Sequence, residues 1–241
     1  LPFVDDLKLR ASFGQVGQDN LGDFYISQPR YSLFPNAGDP GIFWSNLGNT
    51  ALTWETSSFW DASLEFGLFN NMLDGSIEYW ERISDDLLYN VPLPLSEGLS
   101  EGPDNIASMV NSGLELSLRA NIIRQQDLRW SLTVNASTLN NEITDLAGLE
   151  EYTMTSYVAL TPGQPLGALY GYKVDGLWQM SEQAEAESYG YQPGDYKFVD
   201  LNDDGEITPS DKTFIGSPFP DIQWGLTNTF AYKGFELSVF L

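Results

Sequence analysis

An all-β fold of antiparallel strands, each with one apolar and one polar face, is what this sequence predicts. Two observations carry the prediction. Apolar residues recur at every second position in seven separate runs, and the connections between those runs alternate between very short and very long. Side chains on a strand point alternately to its two faces, so sustained alternation marks a strand whose sides meet different surroundings.

The runs follow in order. Leu7, Leu9, Ala11 and Phe13 alternate with Lys8, Arg10, Ser12 and Gly14, predicting a strand over 7–14. Trp60, Ala62, Leu64, Phe66 and Leu68 oppose Asp61, Ser63, Glu65 and Gly67 within a strand over 57–68. Leu73, Ile77 and Tyr79 oppose Asp74, Ser76 and Glu78 over 73–83. Leu114, Leu116, Leu118, Ala120 and Ile122 oppose Glu115, Ser117, Arg119 and Asn121 over 112–122. Trp130, Leu132, Val134 and Ala136 form the apolar side of 128–139. Ile222, Trp224, Leu226, Phe230 and Tyr232 share a face broken by Asn228, and Phe235, Leu237, Val239 and Leu241 form the last one.

The tight connections are Asn70-Asn71, Arg124 to Asp127 and Lys233-Gly234; the long ones are 15–56, 92–111 and 140–221. A soluble sandwich usually has turns of similar length at both ends. An outer-membrane barrel has short periplasmic turns, long extracellular loops and strands with apolar side chains toward lipid. The predicted class is therefore an antiparallel transmembrane β-barrel segment with long extracellular loops. With the short turns placed in the periplasm, strand directions close only if 140–221 lies outside as one insertion. The expected organisation is barrel strands over 1–139 with extracellular loops at 15–56 and 92–111, an extracellular insertion over 140–221, and barrel strands over 222–241. The odd strand number, the opening Leu1-Pro2-Phe3 and the alternation running to Leu241 lead us to expect a piece of a longer chain.

Composition removes several chemistries. With 34 acidic against 11 basic residues the net charge is −23, which argues against nucleic acid as a partner. There is no His and no Cys, so a Ser-His-Asp triad, a thiol nucleophile and a thiolate or imidazole metal site are excluded. Hard-cation binding by oxygen ligands survives, as does binding without catalysis. Nothing among the many acids singles out a glycosidase pair, and we expect no enzyme.

One motif is specific. Asp200-Leu201-Asn202-Asp203-Asp204-Gly205-Glu206 leads to Asp211, placing oxygen ligands at loop positions 1, 3 and 5, Gly at 6 and a carboxylate at 12. Calcium takes six to eight oxygens in flexible geometry, and Gly at position 6 permits the sharp turn. The expected set is Asp200, Asn202, Asp204, the Glu206 carbonyl and Asp211, holding a structural Ca2+. A plain polar Asp-Asn-Gly turn is the alternative. Upstream, Ser181 reads as the N-cap of a short helix. Trp54, Phe59, Trp60, Phe69, Trp130, Trp224, Tyr232 and Phe235 fall near strand ends, where amphipathic rings favour the headgroup zone. Phe24, Tyr25, Tyr31, Phe34, Phe43 and Trp44 cluster in the 15–56 segment, either packing their own loop or meeting a ligand.

Several blocks in order resemble the SusC-like TonB-dependent outer-membrane transporters of Bacteroidetes. They are Leu7 to Gly17, Leu52-Thr53-Trp54-Glu55-Thr56, Asn90-Val91-Pro92-Leu93-Pro94, Asn111 to Leu116, Pro165 to Lys173 with Asp175-Gly176, and Thr213 to Pro218 after the acidic loop. The resemblance implies a stretch from the C-terminal half of a 22-stranded barrel in the outer membrane. It further implies nutrient uptake of glycan or peptide oligomers, with a SusD-like surface lipoprotein as lid, energy through TonB, and outer-membrane lipid around the wall. A secreted calcium-dependent carbohydrate-binding β-protein is the competing expectation. The two differ in whether the apolar strand faces point outward or into a core.

Overall fold

A computed structural model describes residues 2–19, 23–36, 38–155 and 157–241. In chain order the first part contains β1 (Val4–Gln18), β2 (Arg30–Asn36), β3 (Asp39–Asn46), β4 (Glu55–Leu68), β5 (Leu73–Pro92), β6 (Glu101–Arg124), β7 (Leu128–Thr138) and β8 (Asn140–Asp145). Next come β9 (Tyr152–Thr155), β10 (Val158–Leu160), β11 (Leu169–Tyr172), β12 (Val174–Leu177), α1 (Gln183–Ser188), β13 (Tyr196–Phe198) and β14 (Lys212–Gly216). β15 (Ile222–Tyr232) and β16 (Phe235–Phe240) close the series. The chain divides into two compact units, Glu150–Phe219 and the remainder.

The larger unit is built on one sheet in the order β1-β4-β5-β6-β7-β15-β16, every neighbour antiparallel, with β8 also pairing β6. These are the seven strands that the alternation predicts. Among the described residues, substantial contacts between strands of the sheet run only between hydrogen-bonded neighbours. Its tight turns are made by residues in the left-handed region: Phe69, Asn70 and Asn71 at φ 58°, 57° and 55°, and Lys233 at 54°. Asn accepts that backbone more readily than bulky side chains do.

Register carries the alternation coherently across the sheet. Leu9, Leu64, Ile77 and Leu116 fall in one cross-strand row on the apolar face, joined by Ala136 and Trp224. Trp60 to Leu68 on β4 covers about 26 Å at roughly 3.3 Å per residue, or about 20 Å of height at a tilt near 40°. That is close to the about 25 Å apolar band of outer-membrane barrels.

Two boundaries differ from expectation. The 92–111 loop contracts to 93–100, because β5 and β6 run on as a paired extension past a bulge at Asp86 (φ 58°). Asp85, Asp86, Asp104 and Asn105 interrupt the apolar pattern there; the pairing skips from Ser84 to Leu87 at the bulge and then resumes as far as Pro92. Likewise 140–145 forms β8, paired with β6 from Ser108 to Ser112. Buried apolar residues of this unit concentrate in that region: Ile106, Ala107, Ile143 and Leu146, the last 0% exposed. Polar side chains secure the 47–55 segment to the extension. Asn49 donates to Asp104 (3.0 Å), Thr53 N–H donates to Asn105 (2.8 Å), and Glu55 accepts from Leu88 N–H (3.0 Å).

The smaller unit has sheets β14-β11-β10-β9 and β12-β13. Ala159, Leu160, Ala168, Trp178 and Ala186 are buried in it. The helix start differs from expectation. A 3-10 turn over Met180–Glu182 precedes α1, and Gln179 rather than Ser181 caps it, with the Glu182 carboxylate accepting from Gln179 N–H (2.9 Å).

Candidate functional site

Three places gather side chains with chemistry: the polar face of the wall sheet, the hairpin β2–β3, and the acidic loop of the smaller unit. On the polar face each position alternates with an apolar one, so the sequence places it there by parity. Lys8 and Arg10 pair with Glu65 at 3.4 and 2.8 Å, Ser12 hydrogen-bonds Asp61, and Ser117 donates to Asn135 at 3.0 Å. Glu78 and Glu115 stand directly opposite each other, a like-charge pair that costs stability unless a cation relieves it. A groove of 470 Å³ runs over Ser76, Glu78, Glu115, Ser117, Asn135 and Gln223.

Beside it Trp80 stacks with Phe59 (6.4 Å), and the Arg82 guanidinium lies 6.0 Å from the Phe59 ring centre. Phe59 thus belongs to the polar face rather than to the headgroup girdle that its strand-end position suggests. Trp80 lies across Gly113, where a Cβ would come within 3.1 Å of the indole and 2.3 Å of the Thr138 carbonyl oxygen. Only glycine lets the strands approach so closely there.

On the apolar face the girdle is made by other residues. Trp60 Nε1–H and Tyr79 O–H both donate to the Glu81 carboxylate, at 3.0 and 3.2 Å, with their rings 5.1 Å apart. Ring bodies on the apolar side with a carboxylate beyond them are the arrangement that a boundary between hydrocarbon and water favours. Trp224, Tyr232 and Phe235 are 65%, 50% and 82% exposed. Asn228, the break in the pattern, accepts a hydrogen bond from Trp130 Nε1–H at 2.7 Å.

Four of the six aromatics of the 15–56 segment, Tyr31, Phe34, Phe43 and Trp44, lie in the hairpin, while Phe24 and Tyr25 lie in a turn before it and are exposed. Tyr31 stacks on Trp44 across the strands at 4.1 Å, and Phe34 meets Phe43 edge-on at 5.8 Å. Leu33 and Ile42 stay 76% and 70% exposed.

In the acidic loop, Asp203 and Gly205 take left-handed backbone at φ 58° and 86°. Asp200 accepts from Asp204 N–H (3.2 Å) and Gly205 N–H (2.7 Å), and Asp204 accepts from Glu206 N–H (2.9 Å). Asn202 donates to Asp204 at 2.8 Å. Asp200, Asn202 and Asp204 are therefore brought together, while Glu206 joins them through its backbone N–H. Asp211 is 0% exposed and accepts from Leu201 N–H (2.9 Å) and Thr208 N–H (2.8 Å), tying the two ends of the loop. These bonds, that of Thr208 first, hold its carboxyl below the ordinary range. Among the described residues no three carboxylates converge into a ready metal cluster. The donor set still fits a hard cation in kind, since a carboxylate oxygen accepting one N–H keeps a second lone pair. Tyr189 donates to Asp200 at 3.3 Å, and burial first, then that carboxylate, raises its pKa. Lys197 sits 4.2 Å from the Trp178 ring centre and 2.9 Å from Glu182, which lowers the Glu182 pKa and raises its own.

Comparison with known proteins gives a consistent picture. Residues 2–235 match the family model described as TonB dependent receptor-like, beta-barrel. The TonB-dependent receptor P3 of Formosa agariphila is 32% identical, over 97% of this chain and 25% of its own length. The TonB-dependent receptor SusC of Bacteroides thetaiotaomicron is 30% identical, over 98% of this chain and 24% of its own. Among solved structures, the RagAB peptide importer in its open-open state superposes with a TM-score of 0.78 at 26% identity, covering 99% of this chain and 26% of that one. The chain thus spans about a quarter of the length of the curated relatives it matches.

Proposed function

This chain belongs to the TonB dependent receptor-like β-barrel family, and on that premise we propose that it forms part of the wall of an outer-membrane importer of oligomeric nutrients. One observation carries the proposal: a seven-strand sheet whose apolar face exposes large side chains such as Leu9, Ile77, Trp224 and Leu237 and whose opposite face is polar and grooved. A secreted binding module would bury one face of such a sheet, and an apolar surface of this extent in water is an association hazard. In lipid it is the solvated side. The relatives are receptors and transporters, and the activity assigned here is transport without catalysis.

Residues 140–221 would lie outside the cell, a SusD-like lipoprotein would close over the extracellular end, and TonB would supply energy through parts of the full-length protein beyond this segment. The cargo is a glycan or peptide oligomer; the RagAB neighbours are peptide importers by name, which favours peptide. The test is oligomer uptake by cells in which the full-length gene is deleted and restored. Restored uptake of a defined peptide or glycan, with a lipoprotein copurifying, supports the assignment; growth and uptake indifferent to the deletion on all oligomers sinks it. Topology has its own test. Ser188→Cys should react with an impermeant thiol reagent on intact cells and Asn71→Cys should not.

The acidic loop would hold calcium through Asp200, Asn202, Asp204, the Glu206 carbonyl and Asp211. The ion would neutralise carboxylates that otherwise repel and would stiffen 195–215. Affinity of about 10⁻⁴–10⁻³ M suits an extracellular module. Calorimetric titration of the full-length protein should show binding that Asp200→Ala abolishes; heat unchanged by that substitution counts against the site.

A further inference from the structure

The basic residues of the chain are few, 11 in a protein of net charge −23, and three of them line one pocket. Arg119, Arg124 and Arg129 face a cavity of 330 Å³ on the polar side of the wall, at the end where the tight turns lie. Arg124 and Arg129 are direct cross-strand partners, so two basic residues share one register position next to the turn that joins β6 and β7. A like-charged pair in that position is destabilising unless something between the charges offsets it. A bulge between Asn121 and Ile123 puts Arg124 on this face. Without it, Arg124 would follow the parity of Leu118 and Ala120 and point to the apolar side.

The surroundings do not neutralise the three arginines. Arg124 donates to the Asn70 backbone carbonyl, a neutral acceptor that orients the guanidinium without discharging it. Two carboxylates are near in register: Asp74 opposite Arg119, and Glu236 on the pocket lining. Among the described residues neither forms an ion pair with any of the three. Among the residues that line the pocket, three are arginines and one, Glu236, is a carboxylate. The Ser131 hydroxyl lines the same cavity, adding a neutral donor. Guanidinium forks and a hydroxyl around one cavity suit a planar or tetrahedral oxyanion.

We propose that this pocket binds a single oxyanion group, a carboxylate or a phosphate. Its role is to join β6, β7 and whatever bears the anion at the tight-turn end of the wall. The inference rests on the wall geometry alone and stands whether or not the segment serves transport. The anion has two possible sources, an acidic side chain of the full-length protein lying on the polar face or a free anion from solution.

The experiment uses the full-length protein in detergent, with inorganic phosphate as probe and chloride of equal ionic strength as control. If the anion is free, phosphate binds at one site, and Arg124→Gln with Arg129→Gln weakens it at least tenfold, whereas Arg82→Gln, elsewhere on the same face, leaves it unchanged. If the anion is a side chain, phosphate has no effect, but Arg129→Lys treated with a zero-length carboxyl–amine cross-linker joins an acidic peptide other than those holding Asp74 and Glu236. Either result supports the pocket. Phosphate indifference together with cross-linking to Asp74 or Glu236 alone, or to nothing, overturns it.

Discussion

The wall sheet and the Glu150–Phe219 unit solve opposite problems with the same alphabet. The smaller unit has a buried apolar core. Leu160 is 1% exposed and Trp178 4%, while its polar loop folds back on its own amides. In the wall, Leu9, Trp224 and Leu237 are 79%, 65% and 64% exposed, and it is Ser63, on the polar side, that is 3% exposed. Stability in the first comes from removing apolar area from water. In the second, the strands from β4 to β15 pair their backbones with neighbours on both sides, the condition under which an apolar face can meet hydrocarbon. The difference teaches that exposure of large hydrophobics is a defect or a design only relative to the solvent.

The sharpest way to break that contrast is a charge on the apolar face. Leu118→Arg should cost about 2–4 kcal/mol if that face lies at mid-bilayer, read as unfolding of the full-length protein from lipid bilayers. Ser117→Arg, one residue away on the other face, should cost far less. Equal penalties would end the distinction between the faces. Gly113→Ala comes next, at about 1–3 kcal/mol of overpacking, because the new methyl meets a backbone carbonyl at 2.3 Å.

In the smaller unit the contrast is sharpened by acid. The Asp211 carboxyl is held below its ordinary 3.8 chiefly by the Thr208 N–H. A lowered folded pKa means that the group stabilises at neutral pH, that its contribution fades as pH falls below the ordinary value, and that it is gone below the folded one. Amides of 195–215 should therefore lose hydrogen-exchange protection near pH 3–4 (about the ordinary carboxyl range) before those of β5 and β6. Asp211→Ala should reproduce the loss at pH 7, with exchange at Leu201 and Thr208 on the order of tenfold faster. Smallest is Asn228→Leu, which makes the apolar face more uniform but strands the Trp130 N–H. The measured average for such bonds in membranes, about 0.6 kcal/mol, is the expected loss; a gain in stability would mean that the bond is dispensable.

Parity is what made the wall legible. Leu64 beside Glu65, or Leu116 beside Ser117, declares two solvents from the order of residues alone, because the strand repeats every two positions. The tight turns at Asn70-Asn71 and Lys233-Gly234 were equally readable, since their backbone demands are local. The composition of the acidic loop was legible for the same reason, whereas its burial of Asp211 against Leu201 and Thr208 was not. Three things were decided only in three dimensions. The paired extension of β5 and β6 is invisible to hydropathy, because backbone pairing resumes past the bulge although Asp85, Asp86, Asp104 and Asn105 break the alternation. Phe59 went to Trp80 and Arg82 rather than to the girdle, since strand-end position does not determine side. The bulge after Asn121 reversed the parity of Arg124 and set it beside Arg129, a pairing that depends on register between strands. Periodicity is a property of one strand; register, bulges and cross-strand partners belong to at least two, and no single strand carries them.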